Sequence, residues 1–211
     1  GQLDKGLSAL EQSAEMYERI GDLRNACSQR LDAVFFYEEV GEYARMEQMC
    51  REVVETVRRL GITRLAPMAH RALGQALLGL NRLDEAAAEI KRAHEIAQAT
   101  GDRRIGSTST LAMAAIHLSR GDLNEAARCA EEGLQDIAAG KFMARFLPRQ
   151  LITFGRIRQQ QGRLDEALQL MQRREVFTTS GPRIRVRLFA GDLPANMCER
   201  AERSEERRVG K

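Results

Sequence analysis

Between Leu83 and Ala97 the apolar side chains Leu83, Ala86, Ala87, Ile90, Ala93 and Ala97 recur at steps of three and four residues, with mostly polar residues between them. Steps of that size follow the 3.6-residue turn of an α-helix, so these side chains gather into one apolar stripe that has to be buried. Related segments open at Gly1 (GQLDKGLSAL), Gly41 (GEYARMEQMC), Asn81 (NRLDEAAAEI), Gly121 (GDLNEAARCA) and Gly162 (GRLDEALQLM), at spacings of 40, 40, 40 and 41 residues. A second series of turn glycines interleaves with the first at Gly21, Gly61, Gly101, Gly140 and Gly181, spaced 40, 40, 39 and 41. Two turns per period mean two helices per period. Glycine suits the turns because a helix commonly ends in a left-handed residue, and Asn81 is the next cheapest choice for that conformation.

The first helices of the units are predicted at residues 23–39, 64–79, 104–119 and 143–160, with Pro67 and Pro148 near two starts, where a missing amide hydrogen costs little. In the second helices, Ala86, Ala126 and Ala167 fall five positions after each turn residue and let neighbours approach closely. Asp84, Glu85, Asp165 and Glu166 sit in first turns, where the helix dipole favours acids. A single hairpin of this kind cannot hide its own apolar face, so successive hairpins must stack. The pattern predicts an all-α, right-handed superhelical solenoid of antiparallel helix pairs, about four and a half repeats over residues 1–174. The half repeat at 3–19 lacks a first helix, and the cut ends are expected to fray. Residues 175–202 read as a weak partial fifth repeat. There Arg183, Arg185 and Arg187 alternate with Ile184, Val186 and Leu188 in strand fashion, while repeat arithmetic favours a helix stopped near Pro194.

A small residue or Gly, then an aromatic or Leu, then a turn Gly and an Ala make up a pattern that resembles the tetratricopeptide repeat. Phe154, Gly155, Gly162, Leu164 and Ala167 carry it in one unit, and Leu73, Gly74, Leu83 and Ala86 in another. Val34 and Ala114 replace the first Gly elsewhere. The units exceed the usual thirty-four or so residues and are similar to the longer-helix variant of bacterial signalling proteins. GDLRNAC at residues 21–27 and TGDRRIGSTSTLAMAAIHLSRGDLNEA at 100–126 resemble the C-terminal repeats of large bacterial proteins that join a Ser/Thr protein kinase to an AAA-type ATPase. That resemblance implies a sensor or docking arm that binds a protein or peptide, with contact to domains upstream in the same protein as a further partner. Two other readings stay open: the sensor segment of an ATPase-type activator with a helix-turn-helix, and a free-standing scaffold.

Composition changes this picture little. With 43% hydrophobic and 30% charged residues, and no apolar run near the eighteen or so a spanning helix needs, membrane insertion is excluded as an expectation. The formal charge of +3 leans on residues 203–211 (RSEERRVGK), which match one translated frame of a common sequencing adapter and are read as a scar. They hold four basic and two acidic residues, so without them the charge falls to +1. That small excess, with 5% aromatics and no Trp, argues against a nucleic-acid partner. Cys27, Cys50, Cys129 and Cys198 lie far apart, without a Cys-x-x-Cys pair or nearby histidines that would complete a zinc site, so none is expected and a reducing cytoplasm suits them. His70, His94 and His117 lack a His-Glu-x-x-His companion, and no nucleophile elbow, phosphate loop or kinase loop is present. The chain is therefore expected to be no enzyme and to hold no cofactor or metal.

What remains is a binding face. The tetratricopeptide resemblance places it on the concave side, where counting from the turn glycines gives Phe35, Glu38, Arg71, Gln75, Ala115, Ser119, Arg149, Arg156 and Gln160. These suggest a polar groove, basic toward its C-terminal units. Relatives that clamp a chaperone's terminal carboxylate need Asn where this chain has Phe35, Gln75, Ala115 and Arg156, so a chaperone clamp is disfavoured.

Overall fold

The computed structural model describes the backbone of residues 2–140, 147–171, 175–176 and 184–185, and the side chains of 3–135, 150–167 and 169. Among the described residues the chain forms α1 (Gln2–Arg19), α2 (Leu23–Val40), α3 (Tyr43–Arg59), α4 (Ala66–Gly79), α5 (Leu83–Thr100), α6 (Arg103–Arg120), α7 (Leu123–Gly140), α8 (Leu147–Gln160) and α9 (Leu164–Met171). Each helix packs on the next in sequence, giving an all-α solenoid of antiparallel pairs α2–α3, α4–α5, α6–α7 and α8–α9, preceded by α1.

The turns repeat down to individual hydrogen bonds. Gly41 (φ +76°) and Asn81 (φ +59°) both adopt the left-handed conformation that ends a helix. One residue later, an amide reaches back to the carbonyl five positions earlier: Glu42 to Tyr37 (3.1 Å), Arg82 to Leu77 (2.9 Å), Asp122 to His117 (2.9 Å) and Arg163 to Arg158 (2.9 Å). Tyr37, Leu77, His117 and Arg158 thus occupy one structural column, the last turn of the first helix in each pair. Between pairs, aspartate does a second job. The carboxylates of Asp22 and Asp102 accept from the amides of Asn25 (3.1 Å) and Ile105 (3.0 Å) and so cap α2 and α6.

The buried stripe of the second helices follows the 40-residue period. Met46, Cys50, Val53 and Val57 of α3 stand 40 residues before Ala86, Ile90, Ala93 and Ala97 of α5, and none of these is more than 3% exposed. Full burial of a side chain such as Ile90 contributes about 1.5–3 kcal/mol. Cys50 holds an apolar slot in that stripe, and burial pushes its thiol up to about 12. At Gly74 the contact between α4 and α5 is closest: a Cβ there would lie 2.7 Å from two carbons of Ile90. Only glycine fits.

The first helices of successive pairs also touch one another, α2 with α4, α4 with α6 and α6 with α8, whereas α3, α5 and α7 make no comparable contact among the described residues. The stack therefore has a tight inner layer of first helices and a splayed outer layer of second helices. That asymmetry creates an inner groove and outer clefts.

Two expectations change. Gly140 is the last residue of α7 and not a separate turn, and α8 begins at Leu147, with 141–146 outside the described residues. The helix favoured for the fifth unit does not include the four residues described there: β2 (Ile184–Arg185) pairs antiparallel with β1 (Glu175–Val176), Glu175 opposite Arg185 and Val176 opposite Ile184. The Arg/β-branched alternation prevails over the repeat period there. Gly181, Pro194 and residues 203–211 lie outside the described residues.

Candidate peptide-binding groove

The inner groove runs obliquely across the first helices. It takes Glu38 from the C-terminal half of α2, Arg71, Gln75 and Gly79 from α4, Arg104, Thr108, Ala112 and Ala115 from α6, and Gln150 and Thr153 from the N-terminal half of α8. Its cavity of about 140 Å³ has room for one side chain or a few waters, with the rest of a ligand lying along the open surface. On α6 the lining positions Arg104, Thr108, Leu111, Ala112 and Ala115 recur at helical spacing, the face of a single helix.

Arg71 sits at the centre. Its Nη1 donates to the Gln75 side-chain oxygen, and its buried Nε has no hydrogen-bond partner. Burial pushes this guanidinium below its usual range, opposed by the Glu38 carboxylate and reinforced by the nearby Arg104. Arg71 and Arg104 make no ion pair at contact distance among the described residues. A guanidinium with an unused N–H, beside a second cation, favours an incoming carboxylate, because a charge-assisted hydrogen bond is about twice as strong as a neutral one.

Of the positions read from sequence, Glu38, Arg71, Gln75 and Ala115 line this groove together. Four others lie elsewhere. Phe35 is 37% exposed and meets Phe36 edge-on at 5.6 Å. Ser119 is exposed and donates to the Ala115 carbonyl at 3.0 Å, while Arg156 and Gln160 are exposed beyond the groove's end. The side chain of Arg149 is outside those described. Counting at a fixed offset from each turn assumes a groove parallel to the stack, whereas this cavity crosses from C-terminal to N-terminal turns. Among the described side chains its basic residues are central, Arg71 and Arg104. Arg104, Thr108, Gln150 and Thr153 were missed for the same reason.

The structure also corrects the reading that Cys129 has no histidine near it. His117 on α6 and Glu125 and Cys129 on α7 bring three donor atoms within 4.8 Å of one another. Twelve residues of sequence separate His117 from Cys129, but the hairpin folds them together.

The comparisons agree with this architecture. The tetratricopeptide-repeat family model matches residues 67–92, 108–132 and 152–173. A family described as "Protein of unknown function (DUF3604)" matches residues 163–208. Among solved structures, the crystal structure of BtubC (BKLC) from P. vanneervenii is similar with a TM-score of 0.53 at 14% identity, over 82% of this chain and 89% of that one. No curated protein matches the chain. Three segments of the chain thus match the tetratricopeptide repeat, and the whole described stack is an all-α solenoid. Among the described residues no helix is long and apolar enough to cross a membrane.

Proposed function

We propose that this chain binds a protein or peptide segment along the inner groove, with an acidic side chain or chain terminus of the partner paired to Arg71 and Arg104. The unpartnered, buried Nε of Arg71 carries this reading. Leaving such a donor unpaired costs about 1–3 kcal/mol, which a bound carboxylate recovers. Elsewhere in a largely apolar lining that includes Leu78 and Leu111, Gln75, Thr108, Gln150 and Thr153 offer neutral donors and acceptors along the path of a backbone. Binding, not catalysis, is the role these groups support.

Within that role, the chain acts as the regulatory or sensor arm of a larger bacterial, cytoplasmic signalling protein of the kinase–ATPase type. Support comes from the segments at 21–27 and 100–126, and from thiols at Cys27, Cys50 and Cys129 that are free and buried, as a reducing compartment allows. A bound partner biases such a switch only through different affinity for its two states. Peptides selected on the chain by display, then measured by fluorescence anisotropy, test the groove: Arg71→Met should weaken binding of an acidic peptide at least tenfold while circular dichroism stays unchanged. Equal binding by Arg71→Met sinks the groove assignment. Flanking reading frames test the context, since upstream sequence with neither a phosphate loop nor a kinase loop removes the kinase–ATPase reading and leaves the helix-turn-helix activator or the scaffold.

A further inference from the structure

The column of Tyr37, Leu77, His117 and Arg158 faces the first turn of the following helix, where the matching positions are Arg45, Glu85, Glu125 and Glu166. In the first pair Arg45 lies over the Tyr37 ring at 5.5 Å, and in the fourth Arg158 Nε stands 3.5 Å from Glu166. The third pair puts an imidazole in a column that is buried and apolar in the second, opposite a carboxylate and, one turn further along α7, a thiol. Cys129 is buried but off the register of the main stripe: it stands 40 residues after Glu89, whereas Ala130 continues the register of Cys50 and Ile90. It lines an outer cleft of about 460 Å³ between α5 and α7, floored by α6, which His94, His117 and Glu132 also line.

We propose that His117, Glu125 and Cys129 form a binding site for one divalent transition-metal ion, zinc by the chemistry of the donors, with a coordination position left open toward the cleft. Nitrogen, oxygen and sulfur on one centre suit a borderline-soft ion, not calcium or magnesium, which take oxygen alone. Metal–donor bonds of about 2.0–2.3 Å in a tetrahedron put donors about 3.3–3.8 Å apart, so side-chain rotation of about 1 Å closes the present arrangement. Asp122 stands 3.5 Å from His117 Nδ1 and supplies the orienting carboxylate that metal-bound imidazoles ordinarily have. Water, His94 or Glu132 completes the shell from the cleft. On binding, the Cys129 S–H bond breaks, its proton goes to solvent, and the sulfur lone pair forms the bond to the metal; no electron is transferred.

Arg128 competes with the ion. Its guanidinium bonds Glu125 at 2.8 Å and Glu132 at 3.1 Å and lies 3.8 Å from the Cys129 sulfur. Its side chain is 60% exposed, so it is free to swing away into water when the ion takes Glu125.

Titration of the tag-free, reduced, chelator-treated full chain with Zn²⁺ by calorimetry, and with Co²⁺ by absorption, tests the site. The expected result is one ion per chain, a thiolate-to-cobalt absorption band, and a raised thermal midpoint with zinc. In a Cys198→Ala background, Cys129→Ser and His117→Gln should each weaken zinc at least tenfold, and Cys129→Ser should abolish the cobalt band, because Cys27 and Cys50 belong to no group of three candidate ligands among the described residues. Arg128→Met should tighten binding by removing the competing cation. Zinc bound equally well by a folded His117→Gln/Cys129→Ser double variant, or cobalt bound without the thiolate band, overturns the proposal.

Discussion

His117 and Arg158 occupy the same place in two successive hairpins, one period apart, and their carbonyls accept the same turn hydrogen bond. Their side chains meet opposite fates. Arg158 is buried, donates to Glu131 and to Gln161 (2.8 Å), stands 3.5 Å from Glu166 and covers the Phe154 ring at 4.6 Å. Glu131 of the third hairpin and Gln161 and Glu166 of the fourth supply the partners of this cation, so α7, α8 and α9 are cross-linked from within. The third hairpin has no cation at that column and offers electron pairs instead, from an imidazole, a carboxylate and a thiol. The repeat fixes the backbone at this column and leaves its chemistry free, which lets one scaffold carry a structural lock in one unit and a ligand site in the next.

The largest effect should come from removing the lock. Arg158→Ala strips partners from Glu131 and Glu166 and the cover from Phe154. Breaking a buried ion pair costs about 3–5 kcal/mol, and the half-exposed partners here reduce that to about 2–3 kcal/mol. Urea unfolding followed by circular dichroism should show a lower midpoint, and Arg158→Met, which keeps the packed stem, should lose less. Equal losses in the two variants would mean the charge, and not the packing on Phe154, holds the hairpins.

A smaller effect is expected from transplanting the lock. His117→Arg places the fourth unit's cation opposite Glu125, where the Glu166 equivalent pairs with Arg158. Folding stability should change by about 1 kcal/mol or less, since the new pair is only partly buried. Zinc affinity should vanish, because the column then carries a cation in place of a donor. A variant that still binds zinc as the parent does would break the equivalence of the two columns.

The scaffold was readable because its rules are local. A left-handed turn residue is demanded at Gly41 and Asn81 whatever the surroundings, and Met46 and Ala86 declare the stripe by spacing alone. The groove was only partly readable, since Ser119 and Arg156 satisfy the helical face that Ala115 and Thr153 begin, and only the oblique path of the groove excludes them. The metal-type cluster was hidden by reading cysteines and histidines along the chain. Stacking the sequence in rows of 40 would have exposed it, because His117 then stands in the column that faces the first turn of the next helix, where Glu125 and Cys129 lie. The β1–β2 pairing had a sequence signal too, in the Arg/Ile/Arg/Val alternation, but the period outvoted it.

The smallest effect concerns a second oddity of the same third hairpin. Ser109 lies on α6, is fully buried, and its hydroxyl has no hydrogen-bond partner. Forty residues earlier the same column holds Ala69, equally buried. Ser109→Ala should therefore restore the second unit's packing, removing a hydroxyl whose burial costs about 1–3 kcal/mol when unpaired while opening a space of only one oxygen atom. The two changes nearly offset, so unfolding free energy should shift by about 0.5 kcal/mol or less, toward greater stability, with zinc and peptide binding unaltered. A clear loss of stability would show that the hydroxyl is paired in solution, and the third hairpin would then depart from the second at one column, His117, and not at two.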